Sequence, residues 1–224
     1  IDKRGLKVVW DYRGRVNGID EESMKRFKNS GGRMISFGIE TSSEEGLRVL
    51  RKGSKLKQNI EALRLCRKYG IVTIADFIIG LPHERSYDDV LKSIKTLTYD
   101  YRPDYAQFSI LSLYPNTEVY DQAVAKNLIK DGKWNEWARD PLNVKLKVEH
   151  WHEHVPMEKL VELQKKAYRI FYFRPSAIWR QIKQIRSFYE VKVKIRGALS
   201  VLAFDFGVFR KSKPLKPDYQ VPIN

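Results

Sequence analysis

Polar and glycine residues mark the ends of two apolar runs in this chain, where a buried strand would give way to a helix. Glu40 and Thr41 follow one run, and Asp76 lies inside the next, residues 71–79, which Gly80 closes. In parallel α/β proteins such strand ends converge with helix N-termini on one edge of the sheet, where ligands bind. A carboxylate and a hydroxyl there could hydrogen-bond a ribose or an amino group. Thr41 could instead cap a helix, with Glu40 beside the helix dipole.

Asp76 gives the stronger argument for a binding site. A carboxylate buried in an apolar strand costs several kcal/mol unless it is paired, so Asp76 should face a polar cavity or a basic group. Gly80, followed by Leu81-Pro82, lets the chain turn tightly at the end of that strand. Gln107, inside a later apolar run, is a weaker case of the same kind.

Three further groups allow more than one interpretation. Lys52 could pair with a ligand carboxylate, or it could be an exposed side chain at the end of a helix without a binding role. Arg13, in W-D-Y-R-G-R-V, could bind a carboxylate or phosphate through two hydrogen bonds, or lie on a solvated turn. His150, His152 and His154 alternate as zinc ligands on one face of a strand would. Because their segment reads as an irregular linker without a cysteine or carboxylate cluster, we expect no metal site there.

Four apolar runs, residues 6–10, 34–39, 71–79 and 105–113, alternate with segments of helical periodicity. This order predicts right-handed βαβ units and a parallel sheet, hence an α/β fold. The run 71–79, interrupted only by Thr73, Ala75 and Asp76, is typical of a strand buried on both faces. Four strands are too few to close a barrel and would leave the first as an unprotected edge, so we expect further residues before Ile1.

The pattern changes after residue 120, which divides the chain into a sheet-forming part, 1–120, and a linker with a basic helical extension, 121–224. Between residues 174 and 216 only Glu190 and Asp205 oppose the basic side chains. This region could lie on a membrane surface, follow a nucleic-acid backbone, or pack as a helix with its lysines in water.

Composition sets outer limits on function. The 224 residues include 42 Lys and Arg against 27 Asp and Glu, a formal net charge of +15. This charge favours an acidic partner, although a lysine-rich soluble surface explains it equally well. Cys66 is the only cysteine, which excludes an intrachain disulfide and a cysteine-ligated iron–sulfur cluster. We find no signal peptide or membrane-spanning run in the sequence, and expect a cytoplasmic protein that at most touches the inner face of the membrane.

Four motifs in order resemble strands three to six of the partial barrel of radical S-adenosylmethionine (SAM) enzymes. They are W-D-Y-R-G-R-V, M-I-S-F-G-I-E-T-S-S, D-F-I-I-G-L-P-H-E and D-Y-A-Q-F-S-I-L-S-L-Y-P-N-T. The resemblance is closest to the cobalamin-binding branch that includes the anaerobic magnesium-protoporphyrin IX monomethyl ester cyclase. The segment F-Y-F-R-P-S-A-I-W-R is similar to the C-terminal extension of that branch. The resemblance therefore implies an α/β partial (βα) barrel followed by a mainly helical extension.

The resemblance also implies a cofactor and a chemistry. Enzymes of this family, many of them oxidoreductases, cleave SAM at a [4Fe-4S] cluster, and the resulting 5′-deoxyadenosyl radical takes a hydrogen atom from the substrate. By position, Glu40 would contact the ribose or methionyl group, Lys52 the methionyl carboxylate and Asp76 the adenosine. The residues that we expect to bind the cofactor are Glu40, Thr41, Lys52, Asp76, Ile78, Gly80, Gln107 and Arg13. Residues that perform catalysis are not identifiable from the sequence.

The chain departs from the family in ways that limit what it could do alone. The CxxxCxxC motif that holds the cluster is missing and would lie upstream, as would any cobalamin domain. Asn116 replaces the glycine of the usual Y-P-G-T turn, and asparagine tolerates a positive φ better than most residues. We therefore expect an inactive fragment of an enzyme that oxidises, cyclises or methylates a tetrapyrrole, a lipid or a similar small molecule.

Two alternatives stay open. A radical SAM RNA methylthiotransferase would suit the positive charge, but no compact β-barrel module for RNA is recognisable at the C-terminus, so nucleic acid is the less favoured partner. A non-catalytic module that binds a membrane or a protein partner would suit the basic C-terminal region. Binding to anionic vesicles but not to transfer RNA would favour the lipid-facing interpretations.

Overall fold

The chain forms two compact units, one ending at Ile178 and the other beginning at Trp179. The computed structural model describes residues 5–130, 132–140, 148–183, 185 and 188–203. The division at residue 120 that the sequence suggests stays a prediction about domain organisation.

A four-stranded parallel sheet forms the centre of the first unit and confirms the predicted α/β class. Its strands lie side by side in chain order and are β1 (Trp10–Gly14), β2 (Gly32–Glu40), β3 (Val72–Ile79) and β4 (Tyr105–Ile110). Each connection between neighbouring strands contains a helix, as parallel pairing requires.

The helices of the first unit lie between the strands and after the last one. They are α1 (Glu21–Asn29), α2 (Glu44–Val49), α3 (Leu56–Lys68), α4 (Tyr87–Thr96), α5 (Glu118–Ala125), α6 (Lys133–Arg139) and α7 (Met157–Tyr172). A π-helical turn, Leu97–Tyr101, continues α4. Helix α8 (Pro175–Lys183) crosses the boundary between the units, and α9 (Phe188–Ala203) belongs to the second. Among the described residues after β4, most lie in helices, which agrees with the predicted helical extension.

The first strand lies later in the chain than its apolar residues suggest. The run at residues 6–10 predicts a strand there, whereas β1 begins only at Trp10. Val8 and Val9 are exposed, and the hydrogen bonding toward β2 starts where the Trp10 N–H donates to the Gly31 carbonyl at 3.2 Å. Pairing with β2, rather than the apolar run itself, decides where β1 lies.

The last strand is shorter than predicted, because the chain leaves the sheet after the Leu111 N–H, which still donates to the Ile79 carbonyl at 3.0 Å. The Leu113 N–H donates to the Glu149 carbonyl at 2.9 Å, and the Trp151 N–H donates to the Leu111 carbonyl at 3.1 Å. These bonds form a short antiparallel pairing with the histidine-containing segment. That segment is thus tied to the carboxyl end of β4 instead of forming a free linker.

The two faces of the sheet differ, and the difference positions the candidate site. On one face Phe37, Phe77 and Phe108 are fully buried in the main core. Exposure alternates along β3, so the predicted burial of this strand on both faces is wrong. Its second face, which carries Ile74 and Asp76, is only half-buried. We call this second side of the sheet the open face.

Helix α7 covers the outer edge of β4 with side-chain hydrogen bonds. The Tyr172 hydroxyl accepts from the Ala106 N–H at 3.1 Å and donates to the Ala106 carbonyl at 2.9 Å. The Tyr168 hydroxyl accepts from the Phe108 N–H at 3.2 Å and donates to the Phe108 carbonyl at 3.3 Å. The side-chain amide of Gln164 also donates to the Phe108 carbonyl, at 2.8 Å. These side chains satisfy backbone groups that a further strand would otherwise bind.

Candidate cofactor site

The parallel register brings polar residues of all four strands together on the open face. Gly38 of β2 lies beside Asp76 of β3, and Asp76 lies beside Gln107 of β4. Arg13 of β1 lies beside Ser36 of β2. Three residues that the sequence nominates for cofactor binding, Arg13, Asp76 and Gln107, therefore share one surface.

The Asp76 carboxylate has one oxygen hydrogen-bonded and one left over. Its Oδ2 accepts a hydrogen bond from Ser36 Oγ at 3.1 Å, and Arg13 Nη2 lies 3.9 Å away. Its Oδ1 is buried and has no hydrogen-bond partner in the part of the chain that the structure describes. Because a buried carboxylate oxygen without a donor is costly, this atom is suited to accept a hydrogen bond from a bound molecule.

Glu40 and Lys52 form an ion pair at the carboxyl end of β2. Glu40 Oε1 lies 2.7 Å from Lys52 Nζ, and each side chain is 19% exposed. The φ of Glu40 is 62°, in the left-handed region, and the register with β3 shifts between Gly38 and Glu40. A Cβ at residue 38 would lie 2.5 Å from Glu40 Oε1, so Gly38 leaves the space that the pair needs. Two more nominated residues thus meet at the edge of the open face.

Thr41 and Ile78 occupy different positions around this edge. Thr41 is fully buried, and its Oγ1 accepts from the Ser43 N–H at 3.2 Å, so the hydroxyl supports the turn into α2. Ile78 lies on the open face and packs against a second apolar cluster that includes Leu81 and Trp151. The open face is therefore polar in its middle and apolar toward the carboxyl end of β3.

Glu84, which the sequence reasoning did not nominate, holds the turn that follows β3. Its Oε2 accepts hydrogen bonds from the Gly80 N–H at 2.8 Å and the Leu81 N–H at 3.0 Å. The side chain is buried, and this burial raises the pKa of the Glu84 carboxyl, whereas the hydrogen bonds act to lower it. The spacing G-L-P-H-E, with a carboxylate four residues after the glycine, is the signal that could have revealed it.

Two features of this turn favour glycine at position 80: its backbone conformation and the small space beside it. Its φ is 74°, which glycine adopts at little cost. A Cβ at this position would lie 3.0 Å from both Cδ atoms of Leu160 in α7. These constraints explain the glycine on structural grounds, and its role toward a cofactor stays a prediction.

No group of three or more His, Cys, Asp or Glu side chains that could hold a metal ion occurs among the described residues. The Nδ1 of His152 lies 2.8 Å from the His150 carbonyl, and that of His150 lies 3.4 Å from Ser112 Oγ. Cys66 is buried in the core beside Met24, and burial raises the pKa of its thiol to about 12. This thiol is unsuited to bind iron, because iron takes cysteine as thiolate.

Comparison of the sequence with known proteins finds a family and two informative relatives. The family model described as the Radical SAM superfamily matches residues 3–97. An uncharacterized methyltransferase of Pyrococcus horikoshii is 34% identical over 204 residues, which are 90% of this chain and 42% of that protein. The anaerobic magnesium-protoporphyrin IX monomethyl ester cyclase of Cereibacter sphaeroides is 33% identical over 123 residues, 53% of this chain and 20% of that protein. The chain thus spans less than half the length of these relatives.

Comparison of the structure supports the same architecture. The cobalamin-dependent S-adenosylmethionine radical enzyme OxsB superposes with a TM-score of 0.55 at 15% identity. The match covers 91% of this chain and 35% of the OxsB chain. At this level of identity the likeness concerns the fold alone, and it agrees with a partial barrel that continues into a helical extension.

Proposed function

Because the chain belongs to the radical SAM superfamily, we propose that its open face binds SAM as part of a longer radical SAM enzyme. Bound at the reduced [4Fe-4S] cluster of such an enzyme, SAM supplies a 5′-deoxyadenosyl radical that removes a hydrogen atom from the substrate. The proposed reaction is the oxidation, cyclisation or methylation of a small molecule. The protein's own part is to bind SAM, to orient it and to keep water from the reacting atoms.

The buried Oδ1 of Asp76, which has no hydrogen-bond partner among the described residues, is the observation that carries this proposal. The atom lies in the middle of the open face, where it can accept a hydrogen bond from a hydroxyl or amino group of the adenosine. Lys52 would bind the methionyl carboxylate, and Glu40 would accept a hydrogen bond from the ribose or the ammonium group. Since these two side chains already pair with each other at 2.7 Å, each would orient the other toward its part of SAM.

This chain does not supply the cysteine ligands that an iron–sulfur cluster needs. Its single cysteine, Cys66, is buried in the core with a raised pKa, and a [4Fe-4S] cluster needs several thiolates. We propose that the cluster ligands, and a cobalamin domain if the enzyme uses one, are supplied by a part of the protein outside this sequence. Alone, the chain should bind SAM without cleaving it.

An apolar small molecule is the substrate class that we propose. Two names among the relatives support this class: the cyclase is named for a magnesium protoporphyrin, and the Pyrococcus horikoshii relative is named as an uncharacterized methyltransferase. Ile78 joins the open face to the second apolar cluster, in which Leu50 and Trp134 also pack. This apolar rim suits a tetrapyrrole, a lipid or a similar molecule better than a sugar or a nucleotide.

A cytoplasmic location, with the basic C-terminal region at the inner face of the membrane, belongs to the same proposal. Among the described residues no helix is both long and apolar enough to cross a bilayer. Contact with the membrane would then be peripheral and would depend on exposed apolar and basic side chains.

The formation of 5′-deoxyadenosine from SAM tests the proposed function. The longer protein that contains this sequence is purified without oxygen, its cluster is rebuilt, and the rate is followed over a range of SAM concentrations. Asp76→Asn should raise the KM for SAM about tenfold, as expected for the loss of a hydrogen bond to a charged group. Asp11→Asn is the matched control, because Asp11 also lies on the open face of the sheet but pairs with Arg33 at 3.1 Å.

Two results would count against the proposal. A wild-type protein with an intact cluster that releases no 5′-deoxyadenosine would favour a non-catalytic module. Equal effects of Asp76→Asn and Asp11→Asn on the KM for SAM would remove Asp76 from the site.

A further inference from the structure

Helix α9 of the second unit carries an exposed apolar stripe. Phe188, Ile195 and Leu199, spaced by seven and four residues, lie on one side of the helix and are 96%, 55% and 59% exposed. They line a shallow groove together with Val191. At about 1.5 Å per residue, the stripe from Phe188 to Leu199 extends roughly 16 Å along the helix.

Basic side chains border this stripe. Lys192 and Arg196 line the same shallow groove as the apolar residues. In the sequence from residue 175 to residue 203, Glu190 is the only acidic residue, against six Lys and Arg. The stripe therefore combines apolar surface with positive charge, and its occupant has to offer the opposite charge.

From this combination we infer that the stripe docks α9 on an anionic membrane surface, with the helix axis parallel to the membrane plane. The apolar side chains enter the boundary between headgroups and acyl chains. The long stem of Lys192 lies along the apolar boundary while its charge reaches the lipid phosphates. This assignment rests on the membrane location proposed above and does not depend on the radical reaction.

Charge decides between this occupant and two others. A second copy of the chain, packed stripe against stripe, would bring two positively charged helices together, with Lys192 beside the stripe in each, which like-charge repulsion opposes. A nucleic acid would satisfy the basic residues but would leave Phe188, Ile195 and Leu199 in water, since its backbone offers them no apolar surface. An anionic lipid surface is complementary to both kinds of side chain.

Sedimentation of the full chain with vesicles tests this inference. One set of vesicles is pure phosphatidylcholine, and the other contains phosphatidylglycerol as well. We expect binding to the anionic vesicles that weakens as salt is added, and much weaker binding to the neutral ones. Ile195→Ser should weaken binding to the anionic vesicles about tenfold, because the site loses one large apolar side chain.

Val193→Ser is the matched control within the same helix. Val193 is 50% exposed, close to the 55% of Ile195, but two residues along a helix point about 200° apart. Its substitution should change vesicle binding by less than about twofold if the stripe described above is the membrane contact. Circular dichroism of both variants checks that neither substitution unfolds the chain.

Four results would overturn the inference. They are no binding of the folded chain to either kind of vesicle, equal binding to neutral and anionic vesicles, equal losses from Ile195→Ser and Val193→Ser, and a dimer that Ile195→Ser dissociates while vesicle binding is unchanged. None of these measurements requires SAM or a cluster, so failure here is distinct from failure of the proposed reaction.

Discussion

Lys52 Nζ lies 2.7 Å from Glu40 Oε1, so two residues nominated for different parts of one cofactor bind each other. The pair depends on its backbone, because Glu40 adopts a φ of 62° at a shift in the strand register. It depends also on Gly38, which leaves room for the two side chains. The geometry of the β2 end therefore presents a carboxylate and an ammonium group side by side, as recognition of a zwitterionic amino acid moiety requires.

Gly38→Ala should destabilise the chain through this ion pair. The new Cβ would lie 2.5 Å from Glu40 Oε1, and overpacking of this kind costs about 1–3 kcal/mol. Urea unfolding of the wild type, both single variants and the double variant Gly38→Ala/Glu40→Ala measures the coupling. In the Glu40→Ala background the added methyl group should cost much less. Equal costs in both backgrounds would show that the strand, not the ion pair, resists the methyl group.

Gly80→Ala should cost more stability than Gly70→Ala. Both glycines have a positive φ, 74° and 61°, so each substitution carries a backbone cost of about 1 kcal/mol. Only at residue 80 would the new Cβ also meet a side chain, Leu160 at 3.0 Å, whereas the space around residue 70 is open. Comparison of the two unfolding free energies isolates the contact with α7. An equal loss in the free energy of unfolding at both positions would mean that Leu160 moves aside without cost.

The tyrosine hydroxyls of α7 should each contribute to stability by protecting the edge of β4. Tyr172→Phe removes the hydroxyl that pairs with both Ala106 backbone groups. Tyr168→Phe removes the hydroxyl that pairs with the Phe108 N–H and carbonyl, although the carbonyl keeps its hydrogen bond from Gln164. Each should lower the free energy of unfolding by about 1 kcal/mol, while Tyr99→Phe, at an exposed tyrosine, should leave it unchanged. Calorimetry of the three variants measures the differences. If the two α7 variants matched the Tyr99 control, water would replace the hydroxyls at no cost.

Stability should fall with rising pH through the titration of Glu84. Burial raises the pKa of its carboxyl above the usual 4.5, so the folded chain holds this proton more tightly than the unfolded chain does. As the pH rises above 4.5, the unfolded state loses its proton first, and the free energy of unfolding decreases until the folded-state pKa is passed. Glu84→Gln keeps an acceptor for the Gly80 and Leu81 N–H groups but does not titrate.

The measurement for Glu84 is the difference in unfolding free energy between wild type and Glu84→Gln across this pH range. We expect wild type to lose stability relative to the variant as pH increases. A difference that stays constant with pH, or one that grows in favour of wild type, would contradict a raised pKa.

Local sequence patterns are sufficient to predict much of this fold. Apolar runs alternating with helical periodicity indicate the order of strands and helices and the parallel sheet, because both signals depend only on neighbouring residues. The strand ends likewise indicate Glu40, Asp76 and Gly80 as candidates for a binding site. The predicted position of the first strand is wrong, since Val8 and Val9 are apolar but find no pairing partner in β2.

Contacts between distant parts of the chain determine the side-chain pairing in the candidate site, which local patterns do not predict. The partner of Glu40 is set by a left-handed backbone conformation. The turn at Gly80 is held by Glu84, whose spacing from Gly80 is visible in the sequence but whose burial and hydrogen bonds are set by the fold. The sequence by itself therefore determined which elements form and which polar residues stand at their ends. Only the tertiary structure decided which Asp76 oxygen has no donor in the described part of the chain, because hydrogen bonding across strands depends on register and not on local periodicity.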